Sequence, residues 1–173
     1  MKTAALLLAL ATLAFAGCGG SDESDQPTRK SDFETIEKAS DLSSQSSEKA
    51  DLAIGALGQG DIETATTEVD EAKALAEEAR TTLEEVESDP VRLVFTRIND
   101  LTLEGYEVLA RGIDAAARGD EQATDRYAEE AIAIRNRKLK FVNETDFQSI
   151  GAGESNEKVR EALIEQLRSE AEN

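Results

Sequence analysis

The sequence predicts an all-α fold, an antiparallel up-down-up-down four-helix bundle made of two similar helical hairpins with a short C-terminal helix added. Three observations predict it. Apolar residues make up 39% of the 173 positions but aromatic ones only 4%, so Ala, Leu, Ile and Val dominate, a composition that suits helices better than sheets. Apolar residues recur at alternating three- and four-residue steps, the signature of one buried helix face. The chain also repeats itself: a 59-residue shift, the offset from Gly60 to Gly119, lays Ala56, Gly60, Asp61, Glu71, Ala72 and Ala74 on Ala115, Gly119, Asp120, Glu130, Ala131 and Ala133. Each half then reads as helix, Gly-Asp turn, helix, and two such hairpins joined by a short turn make a bundle.

The first segment carries Phe33, Ile36, Ser40, Ser43, Ser47, Ala50, Ile54 and Leu57 in one register, apolar at both ends with three serines between, and ends at Gly58-Gln59-Gly60. The second has the cleanest periodicity, with Ile62, Ala65, Val69, Ala72, Ala76, Ala79, Leu83 and Val86 forming a coiled-coil-like seam behind Asp61 as N-cap. The third follows Ser88-Asp89-Pro90, with Pro90 suited to a first helical turn. It is apolar on most sides, through Val91, Val94, Phe95, Ile98, Leu101, Val108, Leu109 and Ile113. Its charges keep to a narrow stripe of Arg97, Asp100, Glu104, Glu107, Arg111, Asp114 and Arg118, so it is expected to be the most buried helix. The fourth runs from Asp120 to about Val142, with Tyr127, Ala131, Ile134 and Leu139 facing inward. Residues 143–173 are read as a loop and then an accessory helix capped near Ser155 or Asn156, with Val159, Ala162, Leu163 and Leu167 on one face. The Gly-Asp turn between Ala-rich helices is similar to the hairpins of tetratricopeptide repeats, but the repeat length differs and their aromatic and Pro positions are lacking.

Composition also excludes function classes. There is no His and one Cys, so the usual zinc, haem and non-haem iron ligand sets and His-dependent triads cannot be assembled. A formal charge of −18 from 37 acidic and 19 basic residues repels phosphate, so no nucleic-acid partner is expected. The acidic runs Asp22-Glu23-Ser24-Asp25 and Glu84-Glu85-Val86-Glu87-Ser88-Asp89 lack the Gly-bent spacing of an EF-hand and read as solvated surface. Glu104 and Glu107 belong to the charge stripe of the third helix, and the chain has no Trp with which to stack a sugar. No catalytic residue and no metal site is therefore assigned, and no enzyme activity is expected. Arg118-Gly119-Asp120 spells an adhesion tripeptide, but its repeat counterpart Gln59-Gly60-Asp61 makes it turn chemistry.

The N-terminus carries the most specific signal. Lys2 precedes an apolar run from Ala4 to Ala16, too short to span a bilayer and of the form of an export signal. It ends in Phe15-Ala16-Gly17-Cys18, which resembles the lipobox of bacterial lipoproteins. Ala16 and Gly17 are the small residues that motif requires, while Phe15 stands where the family usually has Leu or another aliphatic residue. The resemblance implies cleavage before Cys18 and a covalent lipid, with palmitate among its acyl chains, on that cysteine, with no other cofactor. Cys18 is the sole cysteine, so no disulfide within the chain is available to it, and lipidation supplies its reason to exist. Residues 1–17 are then a signal peptide, 18–30 the lipidated Cys with a flexible acidic tether, 31–142 the four-helix bundle, and 143–173 the loop and accessory helix. The implied location is the outer face of the cell membrane. In a host with two membranes the outer one is open to it, because Gly19 lacks the Asp of retained enteric lipoproteins.

Two candidate surfaces remain. Arg135, Arg137, Lys138 and Lys140 form a basic run at the end of the fourth helix, where cations complement the helix dipole. It is suited either to anionic headgroups or an acidic partner, or to internal pairing with Glu84, Glu85, Glu87 and Asp89. Ser40, Ser43 and Ser47 either line a small ligand seam or serve as small residues whose hydroxyls bond the preceding turn. The expected role is a membrane-anchored, non-catalytic scaffold or interaction module with an envelope protein partner, a monomer or weak homo-oligomer. A ligand-binding lipoprotein and a carboxylate-dependent cell-wall hydrolase are its rivals.

Overall fold

The computed structural model describes residues 30–146, which form an all-α bundle of four helices: α1 (Lys30–Gly58), α2 (Ile62–Leu83), α3 (Asp89–Ala117) and α4 (Glu121–Glu144). The signal peptide, Cys18, the tether and the expected C-terminal helix lie outside the described residues. Each helix packs on its neighbours in sequence, α1 on α2, α2 on α3 and α3 on α4. α1 touches α3 only marginally, and among the described residues the backbones of α1 and α4 do not come together.

The repeat is built into the backbone. At the end of α1, Gly60 takes φ +76°, and at the end of α3, Gly119 takes φ +70°. The amide of Gly60 donates to Leu57 O at 3.0 Å and that of Asp61 to Ala56 O at 2.9 Å. Gly119 donates to Ala116 O at 2.9 Å and Asp120 to Ala115 O at 3.0 Å, so both ends are the same Schellman closure. The aspartate that completes each closure then caps the next helix: Asp61 Oδ1 accepts from Thr64 N at 3.1 Å, and Asp120 Oδ1 from Ala123 N at 3.0 Å. One residue thus ends one helix and begins the next, which fixes the reversal without a loop.

The turn between the hairpins is held differently. Asp32, buried at the start of α1, accepts from Glu87 N at 2.9 Å and Ser88 N at 3.2 Å, while Arg92 bonds Val86 O at 2.8 Å and pairs with Asp89. Pro90 sits in the first turn of α3, as expected.

Two apolar clusters fill the bundle. One joins the start of α1 (Ile36, Ala39), the end of α2 (Leu83, Val86), the start of α3 (Val91, Phe95, Ile98) and the end of α4 (Val142). The other joins the end of α1 (Ala50, Ala53, Ala56), the start of α2 (Ala65, Val69, Ala72, Ala76) and the second half of α3 (Tyr106, Ile113), without α4. Seven of the eight seam positions read in the second segment are buried, and Ile62 is half-buried. α3 is the most buried helix, with its charge stripe turned outward.

On α1 the register differs from the expected one. The face against α2 is Asp32, Ile36, Ala39, Ser46, Ala50 and Ala53, whereas Ser40 is exposed and Ile54 is 54% exposed. The reason is the small size of Ala39, Ser46 and Ala53. α2 presents Ala65, Ala72, Ala76 and Ala79, so the helices approach closely enough for the Ser46 hydroxyl to reach Ala72 O at 2.8 Å. On α2's other side Asn99 Nδ2 donates to Ala76 O at 2.9 Å.

Candidate functional site

The strongest sequence candidate, Cys18, lies outside the described residues. The serine seam does not form as a unit. Ser40 is exposed, and Ser43 and Ser47 are half-buried with hydroxyls donated one turn back, to Ala39 O at 2.9 Å and Ser43 O at 3.1 Å. The seam serine is Ser46, which the spacing analysis passed over because it falls one step outside the register set by Phe33 and Ile54. These hydroxyls knit α1 and lock it to α2, and the alanines that face them leave a packed interface.

The basic run lies on α4 as expected, but not at its end. α4 continues to Glu144, so no basic residue falls in its last turn, and the dipole effect, confined to that turn, is not available to it. The printed partners also differ from the expected acids at the end of α2. Arg137 pairs with Glu104 on α3 at 2.5 Å and Lys140 with Glu144 on its own helix at 3.8 Å. Asp89, expected to face this run, pairs with Arg92 instead. Arg137 therefore clips α4 to α3, and Arg111 does the same one level away, binding Glu130 at 3.2 Å with its guanidinium 5.2 Å from the Tyr127 ring centre. Arg126 approaches the same ring at 4.9 Å.

Three carboxylates and one amine shape the charge elsewhere. Lys49 on α1 sits between Glu71 at 2.6 Å and Glu68 at 2.9 Å on α2, and hydrogen bonds to the pair, Glu71 first, raise its amine above the ordinary 10.5. Asp61 is held below the usual carboxylate range by the Thr64 amide and hydroxyl. Partial burial, and then Glu48, push Asp51 upward. Sequence reasoning missed Asp32, Ser46, Lys49 and Asn99, since each acts across helices. The one signal that marked Asn99 was its polarity inside a run of apolar positions.

Among the described residues no group of three or more His, Cys, Asp or Glu side chains is placed to hold a metal ion, and no helix is long and apolar enough to cross a membrane. Comparison of the chain with protein-family models, with curated proteins and with solved structures finds no match.

Proposed function

We propose that the chain is an exported lipoprotein, anchored through Cys18 to the outer face of the cell membrane, whose helical domain is a non-catalytic scaffold that holds an envelope partner. The observation that carries this reading is Phe15-Ala16-Gly17-Cys18 at the end of a short apolar leader, with Cys18 the sole cysteine. A rigid domain fixed by Schellman closures and interhelical clips, with seams filled by alanine, suits the presentation of a surface better than the enclosure of a ligand. One lipid chain gives only marginal anchoring, so stable attachment calls for the fully acylated cysteine. Arg137 and Lys140 have acidic partners within the domain, which supports pairing over headgroup contact for these two positions.

The test is fractionation of cells expressing the full chain. The wild type is expected in the membrane fraction and extractable by detergent, and Cys18→Ala in the soluble fraction or as an uncleaved precursor of higher mass. Equal distribution of the two, with equal mass apart from the substitution, would refute the anchor. Crosslinking the wild type in intact cells and identifying what it captures then names the partner.

A further inference from the structure

α1 has a second strip beside the one that packs on α2, and the repeat says what such a strip is for. The 59-residue shift takes Ser40, Ser43, Ser47 and Ile54 to Asn99, Thr102, Tyr106 and Ile113. In α3 that strip is the seat on the preceding helix: Asn99 is 3% and Ile113 1% exposed, Tyr106 is buried, and Asn99 donates to Ala76 O of α2. Ile54, the counterpart of Ile113, is 54% exposed. α1 is the first of the described helices, so the face that the fold uses to receive a helix stands without one among the described residues.

We propose that this strip receives the chain's own C-terminal segment, residues 155–168, packed as a helix along α1 from Ser40 to Ile54. Length and direction carry the assignment. α4 ends at the pole where α1 begins, because Val142 shares a cluster with Ile36 and Ala39. A segment that leaves α4 there and turns back runs along α1 from its start toward Ile54. Residues 145–154 can reach about 33 Å when extended, about three helix diameters. A helix over 155–168 is about 21 Å long, the same as the rise from Ser40 to Ile54 on α1. The segment carries Val159, Ala162, Leu163 and Leu167 at helical spacing, an apolar face that is marginal alone and needs a surface. Its cations Lys158, Arg160 and Arg168 meet an acidic flank, since Glu37, Glu48 and Asp51 are exposed beside the strip. Negative charge accumulates there: Glu48 stands close enough to Asp51 to push its carboxyl upward, after the larger effect of partial burial. The other open end offers a poorer seat, because the repeat places Arg135 on α4 where α2 has the close-packed Ala76.

Disulfide trapping in the full mature chain, with Cys18→Ser to remove the only native thiol, tests the placement. With Ser47→Cys and Leu163→Cys together, an intrachain link is expected on mild oxidation. With Ile132→Cys, which is on the exposed side of α4, paired with Leu163→Cys, none is expected. No link in the first pair, a link only between two chains, or a link in both pairs overturns the proposal. A second measurement avoids cysteine: Leu163→Asp should speed amide exchange of Ala50–Leu57 by roughly tenfold or more while the α2 and α3 amides keep their rates. Unchanged exchange across Ala50–Leu57 would overturn it as well.

Discussion

Asp32 shows how much one side chain can hold. Its carboxylate satisfies two adjacent amides of the turn between the hairpins, at 2.9 and 3.2 Å, from a buried position on another helix. Charge-assisted bonds of this kind contribute about 2 kcal/mol, and their loss strands the amides as well. Asp32→Ala is therefore expected to lower stability by about 2 kcal/mol or more in urea unfolding, with most of the loss from the α2–α3 junction. Asp51 works in the opposite direction. Burial and Glu48 raise its folded-state pKa above the ordinary 3.8, so the folded chain binds that proton more tightly than the unfolded one, and stability falls as pH rises through the shifted value. Asp51→Asn should accordingly raise the melting temperature at pH 7 relative to wild type. At pH 2, where both forms of the chain are neutral at this site, the difference should vanish; an equal gain at both pH values would show that the ionised carboxylate is not the cause.

At the scale of the helix and its ends, the glycines separate two roles. Gly60 and Gly119 hold positive φ in the two Schellman closures, where a Cβ costs about 1 kcal/mol. Gly55 lies within α1 with open space where a Cβ would stand and without positive φ, so alanine there should stabilise by about 0.5–1 kcal/mol through helix propensity. Thermal unfolding of Gly119→Ala and Gly55→Ala should shift in opposite directions, and a shift of the same sign in both would contradict the account of the turn. The element scale is also where the sequence was most readable and where it misled. The eight-residue seam of α2 was legible because its apolar positions share one face, and the Gly-Asp repeat located both hairpin turns with their caps. The face of α1 was read one strip over, because Phe33 and Ile54 outweigh Ala39, Ser46 and Ala53 on any scale of hydrophobicity. Close approach of two Ala-rich helices rewards small side chains, and that preference is invisible to a hydrophobic pattern. The partners of the basic run were not legible either, since Arg137 meets Glu104 only after α3 and α4 have packed.

The whole molecule is a short stack of two equivalent hairpins, tied at one pole by a four-helix cluster and at the other by the alanine seam of α1 and α2. Stability in such stacks is carried by neighbour-to-neighbour interfaces, here α1–α2, α2–α3 and α3–α4. Clips across the α3–α4 interface should matter most for α4, which has only Ile134 and Val142 buried. Replacing both Arg111 and Arg137 with Met is expected to raise amide exchange throughout α4 before it affects α1 or α2, by about 1 kcal/mol in local opening. A loss shared evenly over all four helices would mean that the domain opens as one unit instead. What this domain presents, and to which partner, depends on its being held at a membrane from one end, and that is decided at Cys18. The most direct measurement is the intact mass and N-terminal peptide of the mature protein purified from cell membranes. The account predicts a chain beginning at Cys18 with the cysteine carrying diacylglyceryl and acyl chains; a chain that begins elsewhere, or an unmodified Cys18, would contradict it.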